Sequence, residues 1–272
     1  MSSGSVSINE QNIAKLSFTT YSFETDSLGA AQTAFYLRLV QEAAGLHAAM
    51  RGASIIDLHK EGKTWVITRN HIEIFGYTRW NEEIHVQTWA QEPIRLHLPR
   101  IVEGYGSDGQ LLFRAKTFWA IIDLKRGRPL RPQDMSERIG LVKDSTRVID
   151  MNVPRPNNET DELVHLGTYK PRVTYLDTDR NNHINNITYL SWVLEALNAE
   201  FRTTYKVTKA DVLYQKQTFL DDVVHVHTYA HTPDGFTQEE PVLVSEVIRS
   251  LNDGSSEVVF RAHTEWKKRS SF

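Results

Sequence analysis

Apolar residues recur at helical spacing in two segments of the chain, one in each half. Each segment places a hydrophobic residue every three or four positions, which is the period of a helix with one buried face. The first stripe is Phe35, Leu39, Val40 and Ala43, and the second is Ile187, Leu190, Val193, Leu194 and Leu197. Each stripe predicts one amphipathic helix.

Runs of alternating or β-branched residues follow each predicted helix. They cover 64–68, 84–90 and 111–122 in the first half, and 223–230, 242–247 and 258–264 in the second. Such runs are typical of strands that bury one face. A helix followed by several long antiparallel strands predicts an α+β arrangement in each half, with the helix layered on a sheet.

The two halves also resemble each other in sequence. Residues 36–43 resemble 189–196 at an offset of 153, residues 84–90 resemble 224–230 at an offset of 140, and residues 111–119 resemble 258–266 at an offset of 147. An Asp-Gly pair precedes the last segment in both halves, as expected of a turn between strands. Three matches in the same order indicate two copies of one structural unit.

The segment between the two copies has the composition of a linker. Residues 131–168 are polar and contain several prolines and an Asn-Asn pair. We therefore expect a first unit over residues 8–135, a linker over 136–164 and a second unit over 165–270.

Composition and charge narrow the classes of protein that the chain can represent. The chain has 272 residues, of which 40% are hydrophobic and 24% are charged. Its net charge is −3, so it lacks the overall positive charge by which many proteins bind nucleic acids. The sequence shows no secretory or transit pattern and no apolar run long enough for a membrane helix, so we expect a cytoplasmic protein. Cysteine is absent, which excludes disulfides, thiolate metal sites and a cysteine nucleophile.

The chemically richest segment runs from Asp177 to Asn186, directly before the second predicted helix. Its Asp and Asn residues have a structural explanation, because these side chains cap helices and form Asx turns. A calcium loop is a second interpretation, since Asp177, Asp179 and Asn181 alternate as in an EF-hand. That loop needs a glycine where Asn182 stands and a glutamate where Thr188 stands, so the interpretation fails.

A third interpretation of this segment is hydrolytic. Asp179, Asn181 and His183 bring a carboxylate, an amide and an imidazole to the positive end of a helix, where a developing oxyanion can be stabilised. Histidine can also transfer protons near neutral pH. At the offset of 153, the first copy has Asp26, Leu28 and Ala30 at these positions. The first copy thus keeps the helix and lacks the polar set, which favours a catalytic role confined to the second copy.

The segment from Asp179 to Glu195 resembles the D-x-N-x-H-x-N-N-x-x-Y-x-x-W-x-L-E signature of the fatty acyl-ACP thioesterases of plants and bacteria. Residues 64–69 are similar to the W-V-V-T-R strand of that family, and Trp80 and residues 86–89 to its following W and V-x-T-W. The resemblance covers nearly the whole chain. It implies a double hot-dog fold, two helix-plus-antiparallel-sheet units in one chain, which agrees with the internal repeat.

The resemblance implies that Asp179, Asn181 and His183 are the catalytic Asp, Asn and His. The Glu-Cys pair of the family falls on Gln217-Thr218 here, so a scheme with a cysteine nucleophile cannot apply. Our hypothesis is that Asp179 acts as base or nucleophile, His183 shuttles protons or positions water, and Asn181 stabilises the oxyanion with backbone N–H groups. Gln217 would orient these groups through hydrogen bonds.

The implied function is hydrolysis of fatty acyl-ACP, with acyl carrier protein as partner, no metal or organic cofactor, and a monomer or homodimer as the assembly. The alternatives are an acyl-CoA thioesterase and a non-catalytic acyl- or carrier-binding module with a decayed site. We expect the first unit to supply the pocket for the acyl chain. The candidates for its lining are Phe35, Leu39, Trp65 and Trp119, for which ordinary packing in the core is the alternative and the commoner role. Two basic clusters are candidate carrier-protein sites, with ordinary solvated surface as the default alternative: Lys125, Arg126, Arg128 and Arg131, and Lys267, Lys268 and Arg269.

Overall fold

The computed structural model describes residues 6–142 and 162–271. The chain divides into two compact units, and the described residues up to 142 belong to the first and those from 162 to the second. Within the described ranges, no helix is both long and apolar enough to cross a membrane.

The first unit contains seven strands, three α-helices and one short 3₁₀ helix (Ser22–Glu24) among its described residues. In chain order the strands and α-helices are β1 (Ser7–Ile8), β2 (Ala14–Thr19), α1 (Thr33–Met50), α2 (Ile55–Lys60), β3 (Lys63–Ile74), β4 (Glu83–Ala90), β5 (Leu98–Tyr105), β6 (Leu111–Asp123), β7 (Arg128–Leu130) and α3 (Gln133–Ile139). The strands pair antiparallel in the order β1-β2-β4-β5-β6-β3, and β7 pairs with β6.

Helix α1 packs on this sheet over β2, β4 and β5. Its buried face carries Phe35, Leu39, Val40 and Ala43, the stripe that predicted the helix. Burial of this stripe against the alternating apolar residues of the strands holds the two layers together.

The second unit contains five strands, two α-helices and two short 3₁₀ helices (Tyr175–Asp177 and Arg269–Ser271) among its described residues. The strands and α-helices are β8 (Val164–Tyr169), α4 (Asn186–Glu195), α5 (Ala199–Thr204), β9 (Tyr205–Tyr214), β10 (Val224–Ala230), β11 (Val242–Ser250) and β12 (Ser256–Lys268). The strands pair antiparallel in the order β8-β10-β11-β12-β9, and α4 packs on β10, β11 and β12.

The two units share one strand order, because β2, β4, β5, β6 and β3 correspond to β8, β10, β11, β12 and β9. The internal repeat predicted from the sequence is therefore confirmed at the level of topology. The second helix is shorter than its apolar stripe predicts, since α4 ends at Glu195 and Leu197 lies beyond it. Asn198 explains the break, because its side chain accepts a hydrogen bond from the backbone N–H of Phe201 and starts α5 as a new helix.

Helix α3 crosses the boundary predicted at residue 136. Its Met135 and Ile139 are buried in a cluster with Ala48, Leu58 and other core residues of the first unit. We propose on this basis that the first unit extends at least through Ile139. Most of the predicted linker, residues 143–161, lies outside the described part of the chain.

Candidate active site

The loop before α4 has a defined backbone conformation. The Asp179 N–H donates to the His183 carbonyl at 2.7 Å, and the Asn182 N–H donates to the Asp179 carbonyl at 3.1 Å. Asn182 adopts a left-handed conformation with φ 58° at the tip of this turn. The loop then passes into α4 at Asn185, whose side chain accepts a hydrogen bond from the Ile187 N–H at 3.0 Å. Asn185 therefore has the capping role that the sequence offered as the structural explanation of this segment.

The corresponding loop of the first unit has the same backbone bonds. The Asp26 N–H donates to the Ala30 carbonyl at 2.8 Å, and the Gly29 N–H donates to the Asp26 carbonyl at 2.9 Å. Gly29 occupies the left-handed position of Asn182, with φ 80°. The offset of 153 thus relates equivalent positions of the two loops, as the sequence comparison assumed.

The Asp179 side chain holds this loop in shape. Its Oδ1 accepts hydrogen bonds from the backbone N–H groups of Asn181, at 2.7 Å, and His183, at 3.3 Å. In the first unit, Oδ1 of Asp26 accepts the same two bonds from Leu28, at 3.0 Å, and from residue 30, at 3.2 Å. The aspartate is common to both units and has a structural role in both, so, of the three candidate residues, only Asn181 and His183 distinguish the second unit.

Asn181 and His183 are both half-buried on the loop. The His183 ring packs edge-on against Phe219, with 5.1 Å between ring centroids. Within residues 6–142 and 162–271, neither ring nitrogen of His183 and neither polar atom of the Asn181 side chain has a hydrogen-bond partner. Both side chains therefore keep their hydrogen-bonding capacity for a substrate or a water molecule.

The segment after β9 lies directly beside this loop. The Ile184 N–H donates to the Thr218 carbonyl at 2.8 Å, and the Thr218 N–H donates to the Tyr189 hydroxyl at 3.1 Å. Burial raises the pKa of Tyr189, and this hydrogen bond opposes the shift. The first unit repeats both bonds, from Ala31 to Thr78 and from Thr78 to Tyr36. This attachment is thus part of the common scaffold.

Gln217 and Thr218 have different surroundings. The Gln217 side chain is exposed, and its main-chain carbonyl accepts a hydrogen bond from Nη1 of Arg249 at 2.8 Å. Thr218 is fully buried, and its hydroxyl oxygen has no partner in the described chain. A buried hydroxyl without an adjacent base is unsuited to nucleophilic attack, in agreement with the sequence argument.

Arg249 holds this segment in place and was not singled out from the sequence. It forms ion pairs with Asp222, at 3.0 Å, and with Glu257. Burial acts to lower the pKa of Arg249, but the hydrogen bonds to the two carboxylates outweigh it and raise the pKa above its ordinary value. Asp222 in turn accepts a hydrogen bond from the backbone N–H of Phe219, the residue against which His183 packs. Only the structure reveals this chain of contacts, because its members lie on separate strands and turns.

Two family models match the chain. The acyl-ACP thioesterase N-terminal domain matches residues 11–138, and the acyl-ACP thioesterase C-terminal domain matches residues 159–268. The chain belongs to the acyl-ACP thioesterase family. The family resemblance stated from the sequence is thereby confirmed, and the two family domains correspond to the two structural units.

Individual members of the family cover almost the whole chain. Oleoyl-acyl carrier protein thioesterase 2 of Arabidopsis thaliana is 26% identical over 94% of this chain and 77% of its own length. The structure of an acyl-ACP thioesterase from Bacteroides thetaiotaomicron matches with a TM-score of 0.78 and 25% identity over 95% of this chain and 99% of that chain. The fold also matches that of a 12:0-ACP thioesterase from Umbellularia californica, with a TM-score of 0.72 at 18% identity over 95% and 98% of the two chains. These likenesses confirm the predicted α+β double hot-dog fold.

The two aspartates of the calcium interpretation accept hydrogen bonds from nearby groups of this acyl-ACP thioesterase. Asp177 accepts hydrogen bonds from the backbone N–H and hydroxyl of Thr174, at 2.7 and 2.8 Å, and Asp179 accepts those described above. No group of three His, Asp or Glu side chains in the described ranges is arranged to hold a metal ion.

Proposed function

We propose that this chain hydrolyses the thioester of fatty acyl-ACP, releasing a free fatty acid and ending chain elongation. The observation that supports this proposal most directly is the pair Asn181 and His183, which the second unit adds to a loop that both units share. Membership of the acyl-ACP thioesterase family supports the substrate class.

Asp179 and His183 are the residues that we assign to proton transfer. Because Oδ1 of Asp179 is held by two backbone N–H groups, the carboxylate has a fixed orientation and Oδ2 is left to receive a proton from water. The oxygen of that water attacks the thioester carbonyl while its proton passes to Asp179. The carbon–sulfur bond then breaks, and the proton returns through His183 to the departing sulfur.

We assign stabilisation of the negative charge that develops on the carbonyl oxygen to Asn181 and the first N–H groups of α4. The Asn181 amide donates N–H groups, and the first N–H groups of a helix carry partial positive charge. Donors placed where the charge develops lower the barrier more than they stabilise the bound substrate. The orienting role of Gln217 stays a prediction, since its side chain is exposed.

A comparison of thioesters of one chain length tests the substrate class. We expect thiol release from dodecanoyl-ACP to be at least about tenfold faster, as kcat/KM, than from dodecanoyl-CoA, because only the protein carrier adds a docking surface. Faster turnover of the CoA thioester would favour the acyl-CoA thioesterase alternative. Absence of thiol release from both would favour a non-catalytic binding module.

The basic residues between β6 and α3 are our candidate for carrier-protein docking. All four residues of the first cluster, Lys125, Arg126, Arg128 and Arg131, are exposed, and none of them pairs with a carboxylate in the described chain. In the other cluster, by contrast, Lys267 pairs with Glu240 at 3.2 Å and Arg269 donates to the Arg202 carbonyl. The first cluster therefore has more free positive charge for an acidic carrier.

Reversal of charge in the first cluster tests this assignment. The double variant Lys125→Glu, Arg126→Glu is expected to raise the KM for acyl-ACP about tenfold and to leave the KM for a small acyl thioester unchanged. The matched control is Lys267→Glu, Lys268→Glu, for which we expect a smaller change. Equal KM values for wild type and the first variant, measured at low salt, would contradict the assignment.

The acyl-chain pocket in the first unit, the monomer or homodimer and the cytoplasmic location stay predictions. The acyl groups in the names of the related proteins differ, oleoyl in one and 12:0 in another, so a turnover series over acyl lengths is needed to find the chain-length preference of this protein.

A further inference from the structure

A row of buried polar side chains crosses the sheet of the first unit. Thr117 on β6 lies directly opposite Arg100 on β5 and opposite Asn70 on β3. Thr88 on β4 and His47 on α1 complete the row by contacting Arg100. Arg100 is 4% exposed, Asn70 is 2% exposed, and His47 is fully buried. The row therefore lies between helix and sheet, beside the apolar cluster that contains Ala48, Ala90 and Leu98.

Arg100 is a buried cation without a carboxylate partner in the described chain. Its Nη1 donates to Nδ1 of His47, at 2.8 Å, and to the hydroxyl of Thr88, at 3.2 Å. Burial lowers the pKa of Arg100 to about 10, so the guanidinium still carries its charge at neutral pH. Its Nη2 and Nε make no hydrogen bond within residues 6–142 and 162–271. A buried charge that lacks a partner is costly, and proteins rarely keep one without a use for it.

His47 adds a second free donor beside the guanidinium. Burial, with the nearby charges of Arg100 and Arg51, lowers the pKa of His47 to about 3, so the ring is neutral. Because an arginine can only donate, Nδ1 of His47 accepts and Nε2 carries the ring proton. That Nε2 is buried without a partner in the described chain, as is Oδ1 of Asn70.

The second unit shows that the fold does not need these groups. The threonines of the row persist, as Thr228 and Thr264, whereas Arg100 and Asn70 are replaced by Leu243 and Ala210. At the offset of 153, the position of His47 is taken by Glu200, which lies on α5 because α4 ends at Glu195. The charge and its free donors are therefore an addition to the first unit, as Asn181 and His183 are an addition to the second.

We propose that Arg100 and His47 form a binding site for the carboxylate of an aliphatic acid inside the first unit. A carboxylate is planar and matches the fork of guanidinium donors. Apolar side chains also border the site: Ala48 follows His47 on α1, Ala90 lies opposite Arg100, and Leu98 is on the same face of β5. A charged site with an apolar border fits the head of an amphiphile better than a free inorganic anion.

Binding of dodecanoate to the whole protein tests this site directly. We expect isothermal titration calorimetry to show dodecanoate binding to wild type, with dodecanol, which has the same chain without the charge, bound at least tenfold more weakly. Arg100→Leu introduces the residue type of the second unit and is expected to lower the dodecanoate affinity at least tenfold while leaving the dodecanol affinity unchanged. Equal dodecanoate affinity in wild type and variant, or no binding to wild type, would overturn the proposal.

A pair of matched aspartate substitutions tests, without added ligand, whether Arg100 attracts a carboxylate. Thr88→Asp places a carboxylate where the Thr88 hydroxyl already accepts from Arg100, whereas Thr228→Asp places one at the equivalent position beside Leu243. We expect the Thr88→Asp protein to unfold at a clearly higher temperature than the Thr228→Asp protein and to lose dodecanoate binding. Equal destabilisation by the two substitutions would show that Arg100 does not attract a carboxylate, and it would overturn the proposal even if Arg100→Leu fails to fold.

Two kinetic comparisons distinguish the sources of the carboxylate. If it belongs to released fatty acid, dodecanoate inhibits hydrolysis in wild type and not in Arg100→Leu. If it belongs to the far end of the substrate, Arg100→Leu lowers kcat/KM for an ω-carboxyacyl-ACP and spares that for dodecanoyl-ACP. These comparisons rest on the proposed function, but the calorimetric test does not, so an inactive protein that binds dodecanoate through Arg100 would refute the function and support the site.

Discussion

Replacement of Asp179 by asparagine is expected to lower kcat for an acyl-ACP substrate by about 10²–10⁴-fold and to leave the fold intact. Asparagine keeps an Oδ1 that can accept the hydrogen bonds from the backbone N–H groups of Asn181 and His183, so the loop retains its shape. The substitution removes only the negative charge and the ability of the carboxylate to take a proton. Thiol release from acyl-ACP, followed spectrophotometrically, measures the effect.

The equivalent aspartate of the first unit gives the matched control. Asp26 accepts the same two backbone hydrogen bonds on a loop that lacks Asn181 and His183. Asp26→Asn is therefore expected to change the midpoint of urea unfolding as little as Asp179→Asn does, and to leave kcat unchanged. Near wild-type turnover in Asp179→Asn would limit this residue to the structural role that both aspartates share.

Replacement of His183 by alanine is the second change with a large expected effect. We expect kcat to fall by about 10²–10⁴-fold, because the variant lacks the group that returns the proton to the departing sulfur. The fold is expected to survive, since alanine is the residue at the equivalent position 30 of the first unit and the His183 ring makes no hydrogen bond in the described chain. Single-turnover hydrolysis of acyl-ACP and circular dichroism measure the two parts of this expectation.

An exposed histidine of the same unit serves as the control for His183. His231→Ala removes an imidazole from the surface and is expected to leave kcat unchanged. Partial recovery of the His183→Ala rate on addition of free imidazole would support proton transfer by the missing ring. Turnover of His183→Ala within about twofold of wild type would exclude His183 from the chemistry.

Internal similarity was the feature of the sequence that predicted most of the fold. The offsets of 153, 140 and 147 placed the helix and two strands of each unit correctly, because apolar period and turn residues act locally. The end of α4 was missed, since the apolar stripe continues to Leu197 while the Asn198 cap starts another helix. An apolar stripe in the sequence predicts which residues face the core, but it does not predict whether one helix or two helices contain them.

The candidate site was only partly predictable for a different reason. Asp179, Asn181 and His183 stand close together in the chain, so their residue types and spacing were visible. In the sequence they form one set, whereas the hydrogen bonds separate the aspartate, which both units need, from the other two. Arg249 and the row around Arg100 could not be found in this way, because strand register brings their partners together from distant parts of the chain.

The loop hydrogen bonds that occur twice have an evolutionary consequence. In a chain that contains the same unit twice, only one of the two loops has to carry the reacting groups. The loop at Asp26 has the bonds that folding requires, with Leu28 and Ala30 where the second unit has Asn181 and His183. The interiors of the two units are likewise free to diverge, and Arg100 occupies a position where the second unit has Leu243.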